Sequence, residues 1–568
     1  MYNIKNKKSL FKRAAIVVLI IAMLAASTVS FAFADSSSSS SAPPEPPSNS
    51  SGEQPPEPPD GEAPQAPPSG EAPQGQPPQG NPPGDSSDGS APPAPPNGEA
   101  PQGGGAPGSQ SNADITYQGA TEFSTDTSES GKTYSSKTSG EQALLVTGGT
   151  STIDNATVTK SGDSDGDEAD FYGTNAAVLA NDGSLEISGS DITTDGEHAN
   201  AVFATGSGVI NISDSTITTS SNCSGGIMVT GGGTLTANDL TVTTFGRSSA
   251  PIRSDRGGGT ITVNGGSYES SGVGSPVVYS TADITVNNAK MTSTASEGVV
   301  VEGKNSVTLN GVELTADNNQ LNGQSSTYKA IFLYQSMSGD ADEGTANFTS
   351  KDSSINVLNG DTIYVTNTTA QIYLENNVIT NDSGDFLRIE AGAWGNEGSN
   401  GGTVTATLSN QKVEGSIIVD SVSTLDLSLE NGSVMTGSID NENQAKEVNL
   451  TLSEDSVLVL TEDTYVDSLT NAVSDNSNIY LNGHKLYVNG TETAANEGTY
   501  TEEQQEAPET STADTAQEAT ESGTSPATYI IGGLSIACLI AFGAVYFLKS
   551  RKEKSTCEPG NDDQQMLE

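Results

Sequence analysis

Between about residues 113 and 495 the chain repeats itself with a period in the low twenties, and so short a period restricts the fold more than any other feature of the sequence. Stacking SLEISGSDITT, VINISDSTITT, TLTANDLTVTT, TITVNGGSYES, DITVNNAKMTS, SVTLNGVELTA and IYLENNVITND aligns alternating apolar residues, a small or Asn-containing corner, and a second short strand. Period-two alternation with β-branched residues specifies strands, and Asn, Gly and Ser specify turns. One such unit cannot bury its own apolar face, so the units must stack.

A further strand in each unit carries one inward apolar position, read as Leu144, Val178, Val202, Ile227, Ile252, Val277, Val299, Ile331, Ile363, Leu387 and Ile417. Most steps are 22 to 25 residues, and four steps of 30 to 34 mark inserted loops. The leucine-rich solenoid is the rival fold, but its LxxLxLxxN signature is absent. The expectation is an all-β right-handed parallel β-helix of about eleven or more coils, roughly 50 Å long at ~4.8 Å per coil.

The next residue of each strand points outward: Leu145, Leu179, Phe203, Met228, Arg253, Val278, Val300, Phe332, Tyr364, Arg388 and Ile418. A solvated sheet calls for polar residues there, yet this column is largely apolar, flanked by small residues such as Ala143, Ala177, Ala201, Gly226, Pro251, Pro276, Gly298 and Ala330. Two readings follow: a shallow groove for an extended glycan or peptide, or a second core layer under the inserted loops. In the first, Phe203, Met228, Arg253, Phe332, Tyr364 and Arg388 are the ligand-binding candidates.

The ends of the chain fix the compartment. Lys5, Lys7, Lys8, Lys12 and Arg13, then an apolar run from Ala14 to Ala26 and a small-x-small site at Ala32-Phe33-Ala34, read as a signal peptide, residues 1–34. Residues 35–112 are a Pro/Gly/Ser-rich disordered arm. After the repeats come a flexible stalk, 496–526, and an apolar transmembrane helix, 527–548, long enough to cross a ~30 Å hydrocarbon core. A basic cytoplasmic tail, 549–568, follows, placing the ectodomain outside. No LPxTG-type sorting motif precedes the helix, so the span itself is the anchor.

With 72 Asp and Glu against 23 Lys and Arg, a formal charge of −49 excludes nucleic acid and anionic lipid surfaces as natural partners. Two histidines and three cysteines, with no HExxH, P-loop or GxSxG elbow in a suitable context, argue against zinc and histidine-based catalysis. Cys223 reads as a small buried thiol.

In its repeat texture over about 113–495, the chain resembles the pectate-lyase-like superfamily of right-handed β-helices, and within it the β-helical surface proteins and adhesins of Gram-positive bacteria. The resemblance implies a fold more than a chemistry. The preferred expectation is an adhesin-like surface protein presenting a rod to an extracellular glycan or a host or bacterial surface protein. One alternative is a polysaccharide lyase or glycoside hydrolase, with Arg253, Arg256, Asp385 and Arg388 as catalytic candidates and the carboxylates Asp361, Asp385 and Glu390 near strand ends. Another is a structural coat or spacer. No cofactor is required, although the acidic loop with Asp163, Asp165, Asp167 and Asp170 resembles the opening of a calcium loop.

Overall fold

A computed structural model of the chain describes residues 115–501, apart from Asp165, Gln324, Met337, Asp382 and Ser383. The arm, the signal peptide, most of the stalk, the apolar 527–548 segment and the tail lie outside the described residues. Among those described, no helix is long and apolar enough to cross a membrane.

The described chain is a right-handed parallel β-solenoid of about 14 turns. Three sheets run its length: twelve strands from Glu122–Phe123 to Ile417–Val419, fourteen from Thr127–Ser130 to Ser468–Asn471, and ten from Thr133–Ser136 to Val378–Asn381. Each of the first ten coils contributes one strand to each sheet, and strands within these three sheets pair in parallel with their counterparts one coil away. A four-stranded sheet from Lys412–Glu414 to Ile479–Tyr480 takes up the third face in the last coils. The stack closes where Leu486–Val488 turns back antiparallel on Thr491–Thr493.

Alternation places identical positions of successive coils in one file. Leu185, Ile210, Leu235, Ile261, Ile284, Val307 and Phe348 follow one another down the second sheet, and all are buried in one continuous core. Each such side chain contributes roughly 1.5 to 3 kcal/mol of burial before entropy is counted.

Corners explain the Asn, Asp and Gly of the repeat. After each of the first twelve strands of the second sheet the chain enters the left-handed region, at Asn155, Asp214, Asp239, Asn288, Asp352, Asn376, Asn410 and Asn431 with φ between 47° and 54°. Gly131, Gly189, Gly265 and Gly311 take the same position in the remaining coils. Short polar side chains and glycine are the residues that tolerate this region. Just before the corner, Asn238, Asn264, Asn287 and Asn310 form a ladder, each amide after the first donating to the preceding Oδ1 at 2.9–3.0 Å.

One register differs from the sequence reading. Ile252 pairs with Val278 and Arg253 with Tyr279, so Val278 faces inward, Val277 takes the flanking position read as Pro276, and Tyr279 joins the outward column. Equivalent glycines Gly233 and Gly259 show the extra residue lying between Ile252 and Gly259, where Gly257, Gly258 and Gly259 all have positive φ. Val277 and Val278 are both apolar, so alternation alone does not choose between them.

Candidate functional site

The inserted loops fold over the outward column of the first sheet. Residues 161–177 bring helix α1 (Asp167–Tyr172), which ends at Gly173 with φ 73°. Beneath it Leu145, Leu179, Phe203 and Met228 form a second apolar cluster with Ala176, and Tyr117 packs against it. A Cβ on Gly173 would lie 2.8 Å from the Phe203 ring. Phe203 and Met228 are fully buried and present no surface to a ligand.

The column then turns polar without opening. Arg253 Nη2 meets Asp255 Oδ2 at 2.9 Å and its Nη1 donates to the Ser248 carbonyl. Arg256 Nε binds Asp340 Oδ1 at 2.7 Å, and its guanidinium lies 3.8 Å from the centre of the Phe171 ring. Arg247 donates to Asn322 Oδ1. Burial pushes the Asp255 carboxyl up to about 7, against the pull of Arg253. Arg253 and Arg256, both catalytic candidates from the sequence, are therefore engaged within the fold, as is Arg247.

Two further polar groups lie in this layer. Glu302, 1 % exposed, receives the hydroxyls of Tyr279 at 2.5 Å and Tyr334 at 2.8 Å, and that of Ser336. Burial raises its carboxyl above the ordinary range, although the three hydroxyls oppose the rise. His198 Nδ1 lies 2.9 Å from Asp170 Oδ2, with the Cys223 sulfur within 4.8 Å of donor atoms on both. Asp170 raises the imidazole pKa. Cys223 is buried as expected.

Two of the four aspartates of the acidic loop, Asp163 and Asp170, have described side chains. Asp163 Oδ1 accepts the Glu197 N–H at 2.9 Å and Asp170 faces His198. Asp165 and the Asp167 side chain lie outside the described residues. In the acidic segment after Tyr334, Asp340 serves Arg256 and Asp342 pairs with Lys304.

Val300, Phe332 and Tyr364 continue the column as a third cluster, against which Tyr279, Tyr334 and Trp394 pack. Phe332 stacks on Tyr334 and Tyr364 with ring centres 4.4 and 5.4 Å away, and Trp394 lies tilted to Phe332 at 5.6 Å and edge-on to Tyr334 at 5.1 Å. The buried Lys329 ammonium sits 4.3 Å from the Phe332 ring centre and pairs with Glu297 at 3.0 Å.

The covering thins at Arg388, whose side chain is 23 % exposed. Its guanidinium reaches Asp361 at 2.5 Å, Asp385 at 2.6 Å and Glu390 at 3.4 Å. Asp420 accepts the Ala391 N–H beside it. Burial raises the carboxyls of Asp385 and Glu390, and Arg388 opposes both rises. The three carboxylates singled out in the sequence thus converge on one arginine. Arg253 and Arg256 lie together elsewhere in the column and do not join them.

Sequence reasoning missed Glu302, Tyr334, Lys160 and Trp394. Trp394 carried a signal, being the only tryptophan of the chain. Lys160 carried another, as a lysine in a file of buried Ser and Thr.

No protein family matches this chain, and neither a curated protein nor a solved structure is significantly similar to it.

Proposed function

We propose that the chain is an adhesin-like cell-surface rod, held at the membrane through its C-terminal apolar segment, that meets its ligand around Trp394 and Arg388 instead of along a continuous groove. What supports this reading is where the covering ends. From Leu145 to Tyr364 the column is filled by the protein's own inserts, whereas Arg388, Asp385, Glu390 and Trp394 keep part of their surface. Asp361, Asp385, Glu390 and Asp420 outnumber the single Arg388, so the patch favours a neutral or amino sugar, or a basic peptide, over an acidic glycan. The half-buried indole supplies a flat apolar face for a sugar ring or a cation.

Trp394 is the sole tryptophan, so its emission reports on this patch alone. Titrating the purified chain with glucosamine oligomers is expected to shift that emission saturably, and galacturonate oligomers are expected to leave it unchanged. Silence toward amino and neutral glycans and a lysine-rich peptide alike would remove the binding reading.

A passive spacer is the second reading, favoured by the same filled column: the inserts thicken the rod over its outward face. For the lyase or hydrolase alternative, the same glycan panel, incubated with Ca²⁺, is to be examined for unsaturated products and new reducing ends.

A further inference from the structure

Lys160 sits where the fold asks for a small hydroxyl. Its partners in register are Ser136 on one side and Thr194 on the other, and Thr219 and Thr244 continue the file. The side chain is 1 % exposed. Among the described residues it makes no salt bridge. Its Nζ donates instead to two carbonyls, Thr138 O at 2.7 Å and Gly162 O at 3.2 Å.

The same Gly162 oxygen receives the side-chain amide of Asn175, Nδ2 at 2.8 Å. Asn175 is fully buried, and its Oδ1 accepts the N–H of Gly140 at 3.0 Å. Next to Gly140 stands Glu141, which holds the Ser136 hydroxyl at 2.7 Å. An amine and a carboxamide polarised by a backbone N–H are thus held on one carbonyl, with the half-buried Glu141 carboxylate at the edge of the same corner and its field acting on the amine.

We propose that Lys160 and Asn175 are joined by an intramolecular isopeptide bond. The neutral Nζ attacks Cγ of Asn175, and the Gly140 N–H stabilises the negative charge that develops on Oδ1. Glu141 takes a proton from the attacking nitrogen and delivers it to Nδ2. The Nζ–Cγ bond forms, the Cγ–Nδ2 bond breaks and ammonia leaves, with no oxidant or other reactant required. Burial lowers the Lys160 pKa to about 8, against the opposing fields of Glu141 and Asp163, which provides unprotonated amine near neutral pH. The bond would fasten the base of the 161–177 insert, the segment whose helix covers Phe203, to the strand that precedes it.

Mass spectrometry of the whole chain, denatured, reduced and digested with trypsin, decides the matter. Trypsin does not cleave after an acylated lysine. The expected result is one peptide spanning 138–247, uncut at Lys160 and lighter than its sequence by about 17 Da, the mass of the ammonia lost. In Asn175→Ala the chain is cut after Lys160 and both fragments have full mass. Complete cleavage after Lys160 in the wild-type chain, with unmodified masses, would overturn the proposal, as would a mass loss that persists in Asn175→Ala.

Discussion

Phe203→Ala separates a filled column from an open groove. The ring is fully buried, sits in register between Leu179 and Met228, and is roofed by Gly173, where one added carbon would come within 2.8 Å of it. Neither the sheet below nor the capped helix above is free to collapse into the space left behind. The cost therefore falls in the range for Phe truncation with an unrelaxed cavity, about 3–5 kcal/mol. A ring lying in a groove would lose less than about 1 kcal/mol, because its unburied face contributes nothing to the folded state. Stacked repeats need not unfold in one step. Guanidinium titration is therefore best paired with hydrogen exchange of the coils from Leu144 to Ile252. Thr241→Ala, on the exposed side of the third sheet, is the matched control, expected within about 0.5 kcal/mol of the parent. A Phe203→Ala protein as stable as this control, with exchange unchanged in those coils, would refute the covered column.

Asp255→Ala strands the buried Arg253 guanidinium and is expected to cost about 3–5 kcal/mol, read by the same titration, whereas Arg253→Met with Asp255→Leu recovers most of the loss. Glu302 has a raised carboxyl pKa in the folded state, so the folded chain binds the extra proton between the ordinary glutamate value of 4.5 and that raised value. Stability from this group therefore increases as pH falls through the window. Relative to Glu302→Gln the wild type should gain ground between neutral pH and about 4.5, measured as paired denaturation curves; a constant gap would contradict the assignment. Asn288 holds φ 52°, so Asn288→Gly should be nearly neutral and Asn288→Val should lose about 1–2 kcal/mol in thermal unfolding.

The fold was legible because it is written many times over. A strand read once is ambiguous, but Ile187, Ile212, Val263 and Val286 recurring behind the same kind of corner leave few alternatives. The register of Val278 was not legible, since one extra glycine among Gly257, Gly258 and Gly259 shifts it while both neighbouring valines fit the pattern. The odd outward column was legible as odd: Phe203, Met228 and Phe332 stand where polar side chains belong. What covers them was not, because the covering residues lie in non-repeating inserts, Phe171 and Trp394 among them, whose paths no periodicity specifies. For the same reason Arg256 could be placed near Arg253 but not against Asp340, 84 residues away. Arg388 meeting Asp361, Asp385 and Glu390 was half legible: the acids recur near strand ends, but their convergence on one guanidinium depends on how neighbouring coils align.

The dozen left-handed corners also bear on heredity. Because Asn, Asp and Gly serve interchangeably at that position, the segment between one corner and the next can be duplicated or lost by misaligned recombination of its own gene without breaking the file of core residues. Each such event changes the rod by one step of about 4.8 Å, so its length is a graded quantity open to selection coil by coil. The inserts over the outward face have no such freedom. Arg256 with Asp340 and Phe171 ties segments several coils apart, and a deletion between them would part the pair.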